Sequence, residues 1–168
     1  MSRYIAVAMT DHVELRRQQW AKELPDIDTE GMAILGRMRV ITKSVRPPIE
    51  EIFARYGLDG GTFDVLATLL RSGSPYRLRP TELFEMLMMS SGGLTDRLRR
   101  LEDAGLITRK ASSEDRRSLL VQLTAKGRRI AEAAFREDMA LEATLLKELD
   151  PEDRSALAAL LQKLAASL

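Results

Sequence analysis

The chain has no cysteine and a single histidine, His12. Without cysteine there is no disulfide framework, thiolate zinc cluster or thiol-based redox sensor. One histidine leaves no multi-histidine metal site and makes a triad of the Ser-His-Asp kind an unsuitable model. No apolar run approaches the ~20 residues that a membrane-spanning helix needs. The apolar stretch from Tyr4 to Met9 is too short for a secretory signal and is followed by an acid-rich helical segment. A cytoplasmic protein is therefore expected. The sequence also lacks a phosphate-binding loop, a nucleophile motif, a metal-ligand cluster, internal repeats and low-complexity tracts. No enzyme activity, metal or cofactor is expected from such a chain.

What is present is an ordinary globular composition, 45% hydrophobic and 30% charged. The 168 residues suit one domain, or one compact unit carrying an oligomerisation region. Net charge is only +1, but it is unevenly spread. Between Ser90 and Ile130 ten Lys/Arg stand against five Asp/Glu, whereas the rest of the chain holds sixteen against twenty. A basic segment in an otherwise acidic chain is the footprint of a polyanion-binding face. A solvated helix surface is the plainer reading of the same charges.

The stretch from Arg79 to Gly127 is the most informative. Two short helical patterns meet at Ser90-Ser91-Gly92-Gly93, and two strands follow, joined by a charged turn. Pro80 opens the first helix, with Leu83, Phe84, Leu87 and Met88 as its expected buried set. In the second, at about 100° per residue, Leu94, Leu98 and Leu101 form an inward stripe. Gly92, Asp96, Arg99 and Asp103 fall opposite, with Thr95 and Arg100 on the flanks. Small and polar residues at its start allow a close approach to the major groove, where side chains meet base edges. A late helix start is the other reading of its glycines. Gly105 ends this helix. Leu106–Lys110 and Ser118–Thr124 read as strands, with Tyr76–Arg79 as a third. The tip between them, Ala111 to Arg117, carries adjacent Arg116 and Arg117, and an arginine there can enter the minor groove. Helix, turn, helix and basic hairpin make a winged helix-turn-helix.

The flanking segments are helical. Asp11–Leu24 carries Val13, Trp20 and Leu24 on one stripe, and Pro25 ends it. A second helix is capped by Asp28 or Thr29, presents Ile34, Met38, Ile41 and Val45, and should kink or restart at Pro47-Pro48. Gly57 closes it. A third opens at Gly60-Gly61-Thr62, buries Phe63, Leu66, Ala67 and Leu70, and places Asp64, Thr68 and Arg71 on its polar side. Beyond the wing, Ile130, Ala134, Leu141 and Leu145, then Leu157, Leu160, Leu161 and Leu164, give more apolar surface than a winged unit needs. A second copy is the simplest cover for it. The expected fold class is mainly α with a small β wing: a winged helix-turn-helix plus N- and C-terminal dimerisation helices.

The residues from Leu83 to Ala104, the run Gly105-Leu-Ile-Thr-Arg109, and the Asp115-Arg116-Arg117 tip followed by Leu123-Thr-Ala-Lys-Gly127 resemble the multiple-antibiotic-resistance regulator (MarR) family over nearly the whole chain. That resemblance implies one domain over residues 1–168, with the winged unit at 58–124 and pocket and dimerisation helices at 10–57 and 125–168. It implies a homodimer that binds a pseudo-palindrome in double-stranded DNA, most often as a repressor, and is released by a ligand. It makes Arg117 the minor-groove residue, oriented by an ion pair with Asp115. The expected DNA contacts are thus Ser90, Ser91, Gly92, Thr95, Asp96, Arg99, Arg100, Asp115, Arg116 and Arg117.

A finer likeness is to the family's urate-responsive subgroup, whose tryptophan, aspartate and two arginines match Trp20, Asp64, Arg97 and Arg109. Arg97 lies about 60° from the leucine stripe, facing the body more than the groove. A tryptophan can stack on a planar ring and an arginine can pair with an anionic oxygen, so urate or a phenolic acid is the expected effector class. Two plainer readings stand beside this one. Trp20 can be a packing anchor, and Asp64 can form a structural ion pair with one of the arginines. The rival function is a winged-helix protein-interaction module without sequence-specific DNA binding. The pairs Arg99-Arg100 and Arg116-Arg117 suit phosphates better than a protein groove.

Overall fold

The computed structural model describes residues 11–87, 93–111 and 119–168. The chain divides after Pro48 into two compact units. In the first, helix α1 (His12–Glu23) is capped by Asp11, whose carboxylate accepts the N–H groups of Val13 and Glu14, each at 3.1 Å. Asp11 also pairs with Arg37 at 2.5 Å, and Arg17 donates to the Thr29 carbonyl at 3.1 Å. These polar contacts tie α1 to the segment that follows it. That segment opens with a π-helical turn, Met32–Gly36, before helix α2 (Arg37–Arg55). A Cβ on Gly36 would lie 3.0 Å from Val13 Cγ1, so the glycine lets the backbone sit close to this unit's buried valine. The expected restart at the prolines does not occur, because α2 runs through Pro47 and Pro48. Proline's fixed φ is compatible with a helix, so the missing donors and the crowding of the carbonyls four residues back cost stability without ending α2.

The second unit is organised by helix α3 (Gly60–Arg71), which packs against α4 (Pro80–Met86), α5 (Leu94–Asp103), α6 (Ala125–Leu145) and strand β3 (Leu119–Leu123). Enclosed on most sides, α3 buries Val65, Leu66 and Leu69 completely. Thr68, expected on its polar side, is buried too, and its hydroxyl accepts from Arg71 at 2.9 Å. Leu83, Leu98, Leu101, Leu106, Ile107, Val121, Ala131 and Ala134 belong to the same core, with Ile52, Phe53, Leu58 and Leu123. Burying a side chain of leucine size contributes about 1.5–3 kcal/mol, so this cluster fixes where α5 lies. The rings of Phe53 and Phe63 stack with centroids 4.0 Å apart. The expected buried set of α4 is only partly right. Leu83 is inside, Leu87 is half-buried at the cap, Met88 lies outside the described residues, and Phe84 is exposed. A seven-residue helix offers the core a single inward position.

Strands β1 (Arg77–Leu78), β2 (Ile107–Ala111) and β3 form an antiparallel sheet in the order β1-β3-β2. Ile107 pairs with Leu123, Arg109 with Val121 and Arg77 with Gln122. The sheet is fastened to α6 by the residues Thr124 to Gly127. Thr124 caps α6 by accepting the Gly127 N–H at 2.9 Å and donates its hydroxyl to the Gly105 carbonyl at 2.8 Å. Lys126 reaches the Ala104 carbonyl at 2.9 Å. Gly127 packs so closely that a Cβ there would overlap the Leu106 carbonyl. Helix α7 (Pro151–Ala165), capped by Asp150, leaves Leu157, Leu160 and Leu161 exposed.

Two outcomes follow from this packing. Gly127→Ala must push α6 off the turn after α5, and overpacking of that kind costs about 1–3 kcal/mol. A melting curve like the parent's would show that the approach is not tight. Asp138, on the buried side of α6, has one oxygen without a hydrogen-bond partner among the described residues. Burial, then the nearby Glu142 carboxylate, pushes its carboxyl above the usual range. A folded-state pKa raised in this way favours the fold below the ordinary carboxylate range and loses that contribution as pH rises through the folded value. Asp138→Asn should therefore raise the melting temperature at neutral pH, with the gain shrinking as the pH is lowered. A gain that is constant with pH would rule out ionisation as its cause.

Candidate nucleic-acid interface

Helix α5 begins at Leu94, and Gly93 precedes it at φ 93° in the left-handed region. Nothing lies within 4 Å of a Cβ built there, so this glycine serves the turn, and the helix does start late. The pattern then divides α5 into two faces. Leu98 and Leu101 are buried and Leu94 is half-buried against the core. On the outer face Thr95, Asp96 and Arg99 are exposed. Arg99 lies along the helix surface, 2.5 Å from Asp96 and 3.8 Å from Asp103. Both partners lie on the same helix as Arg99, and exposed pairs of this kind contribute at most about 1 kcal/mol and weaken with salt, so a phosphate can take this guanidinium without loosening α5 from its neighbours.

The remaining charged residues of α5 turn elsewhere. Arg100 forms an ion pair with Asp59 at 2.7 Å. Asp59 is the N-cap of α3. Burial raises its carboxyl, but the Thr62 N–H and the Arg100 guanidinium outweigh that and hold it below the ordinary value. Arg97 is half-buried and lies over the first turn of α3, where a Cβ on Gly61 would come within 2.7 Å of its guanidinium carbon. Among the described residues no ion-pair partner of Arg97 is found. One turn further along α3, Asp64 has a buried oxygen, Oδ2, with no hydrogen-bond partner. It pairs with neither Arg97 nor Arg109. Arg109, on β2, instead embraces Glu102 of α5, with Nε 2.7 Å from Oε2 and Nη2 on the same oxygen, while its own N–H donates to Oε1 at 3.2 Å. The hydrogen bond from Arg109 holds the Glu102 carboxyl below its usual range.

Trp20 belongs to the first unit, on α1, and is 48% exposed. Of the other expected contacts, Ser90, Ser91, Gly92, Asp115, Arg116 and Arg117 lie outside the described residues. A cleft lined by Leu70, Glu132, Phe135, Arg136 and Met139 contains none of the four expected ligand residues. The sequence reading missed Asp59, Gly61 and Glu102. An aspartate just before a helix start is a recognisable N-cap, so Asp59 was findable. Nothing in the sequence announces that Gly61 makes room for an arginine.

A three-helix core that presents one helix outward, backed by a three-stranded wing sheet, is the arrangement of a winged helix-turn-helix DNA-binding protein. Comparison with known proteins makes this specific. A MarR family model matches residues 56–118. The transcriptional regulator PecS of Dickeya dadantii is 36% identical over 161 residues, covering 96% of this chain and 93% of that protein. Among solved structures, a mutant MarR from E. coli complexed with operator DNA superposes with TM-score 0.67 at 25% identity, over 86% of this chain and 96% of that one. AbsC, a MarR family regulator from Streptomyces coelicolor, shares the fold at TM-score 0.71 and 23% identity, over 84% of this chain and 96% of that one. The chain belongs to the MarR family of transcriptional regulators. It is a DNA-binding regulator and not an enzyme. Among the described residues no helix is long and apolar enough to cross a membrane.

Gly61→Ala should displace the Arg97 guanidinium from α3 while leaving the melting temperature equal or higher, since alanine favours a helix over glycine by up to about 1 kcal/mol. A variant structure with Arg97 still in place, or a melting temperature several degrees lower, would contradict the close approach.

Proposed function

We propose that the protein is a cytoplasmic repressor, a homodimer that binds a pseudo-palindromic operator and is released by a small anionic aromatic effector such as urate or a phenolic acid. The observation that carries the effector reading is Arg97. A half-buried arginine on the inner side of α5, its guanidinium beside the first turn of α3 and without an ion-pair partner among the described residues, suits an anion. The partnerless oxygen of Asp64, one turn along the same helix, suits a ring N–H or hydroxyl donor. Trp20, half-exposed on α1, offers a face for a planar ring. Arg109 is occupied by Glu102 and serves the effector only by exchanging that partner.

The dimer reading rests on α7, where Leu160 is 66% exposed among other uncovered leucines. Large apolar faces of this kind mark association surfaces. In such a dimer Thr95, Asp96 and Arg99 read the major groove, and Arg117, oriented by Asp115 and neighboured by Arg116, enters the minor groove, with Ser90, Ser91 and Gly92 at the approach to the reader helix.

Two chains per operator duplex are expected by sedimentation of the complex, and a single chain per duplex would end the dimer reading. Urate or a phenolic acid should raise the melting temperature and release DNA in a gel-shift assay. Trp20→Ala should lose that response. A full response in the variant would remove Trp20 from the site.

A further inference from the structure

Arg99 and Arg100 are adjacent in sequence, and both were expected on DNA. They do different things. Arg99 stays on the outer surface of α5, whereas Arg100 reaches back to Asp59 at 2.7 Å. That carboxylate is held in place. One of its oxygens, Oδ1, accepts the Thr62 N–H at 2.8 Å, and the Thr62 hydroxyl in turn accepts the Asp59 N–H at 2.9 Å, which closes a reciprocal cap on α3. The next residue, Gly60, donates its N–H to Glu50 at 3.1 Å. The other oxygen, Oδ2, takes Arg100. A single aspartate thus caps α3 and pairs with α5.

Arg97 lies three residues before Arg100, on the same side of α5, and rests on Gly61, two residues after Asp59. Two contacts one turn apart on a helix face define its rotation about its own axis. A side-chain tip lies about 6 Å from that axis, so a 10° rotation moves it by about 1 Å. That is enough to spoil a hydrogen bond to a base edge.

We propose that Arg100 is a positioning residue whose ion pair with Asp59 sets the rotation of the reader helix against α3, so that Thr95, Asp96 and Arg99 meet the groove in register, and that it is not a contact to the DNA backbone. Both partners are about half exposed, so the pair adds little to stability. Its effect falls on discrimination between sequences. The inference requires only that α5 reads DNA and is independent of the effector.

The test is a double-mutant cycle on the full-length protein. Asp59→Asn keeps a capping side chain, since asparagine caps a helix as well as aspartate, but removes the charge. Arg100→Gln removes the other partner. Affinity is measured for a duplex selected by the parent protein from a random pool, and for an unrelated duplex of equal length, over a range of salt. Each single variant should bind the selected duplex more weakly, on the order of threefold to tenfold, and the double variant should be no weaker than either. Binding to the unrelated duplex, the salt dependence and the melting temperature should stay at the parent values. The proposal is overturned if Arg100→Gln lowers the salt dependence by about one phosphate contact while Asp59→Asn has no effect. It is equally overturned if both variants bind like the parent, or if their melting temperatures fall in step with affinity, which would make the pair a contribution to folding alone.

Discussion

Everything at the DNA-binding end depends on the burial of α3. Its residues Val65, Leu66 and Leu69 are fully enclosed and belong to the same cluster as Leu98 and Leu101 of α5, Leu83 of α4 and Ala131 and Ala134 of α6. The leucines and the valine each contribute more by leaving water than an exposed ion pair does by forming. The apolar contacts therefore decide where the reader helix is, and the charged contacts around its rim adjust how it is turned. Small alanines on α6 let that helix lie close to α3, and the glycine at position 127 does the same for the turn after α5.

Helix α5 is held from two sides by contacts with its neighbours. On one side Arg97 and Arg100 meet the first turn of α3. On the other, Glu102 is gripped by Arg109 of the first wing strand, which also joins reader and wing into one piece. A ligand that drew on Arg97 or Arg109 would act on contacts that set the orientation of α5. In that case the back of the helix controls what the front can read, and a modest differential affinity suffices, since couplings of about 1–3 kcal/mol change DNA occupancy severalfold to more than a hundredfold.

Much of this was legible in the sequence. The leucine period of α5, the alternation in the second wing strand and the apolar faces of the last two helices each follow from one dominant geometric rule, and a third strand was expected near Tyr76–Arg79, beside the hairpin. The failures have physical causes. Thr68 was placed outside because a period marks one buried face, while α3 is surrounded. Phe84 was placed inside because its helix was read as longer than seven residues. Pro47-Pro48 suggested a kink or restart, yet α2 runs on through them, and the change of helix type lies at Met32–Gly36, where a glycine accommodates Val13. Of the expected site, the inward turn of Arg97 could be read from its angle, because that depends on α5 alone. The partners of Arg100 and Arg109 could not, because Asp59 and Glu102 reach them through tertiary contacts and a half-turn in either helix would change the pairing.

A coupling between the inner face of α5 and DNA must appear in binding equilibria in both directions. The most direct measurement is calorimetric titration of urate into the free protein and into its operator complex at one salt concentration. Urate should bind the complex more weakly, by the same factor by which it weakens operator binding. Equal affinity for the two forms, or no binding to either, would contradict it.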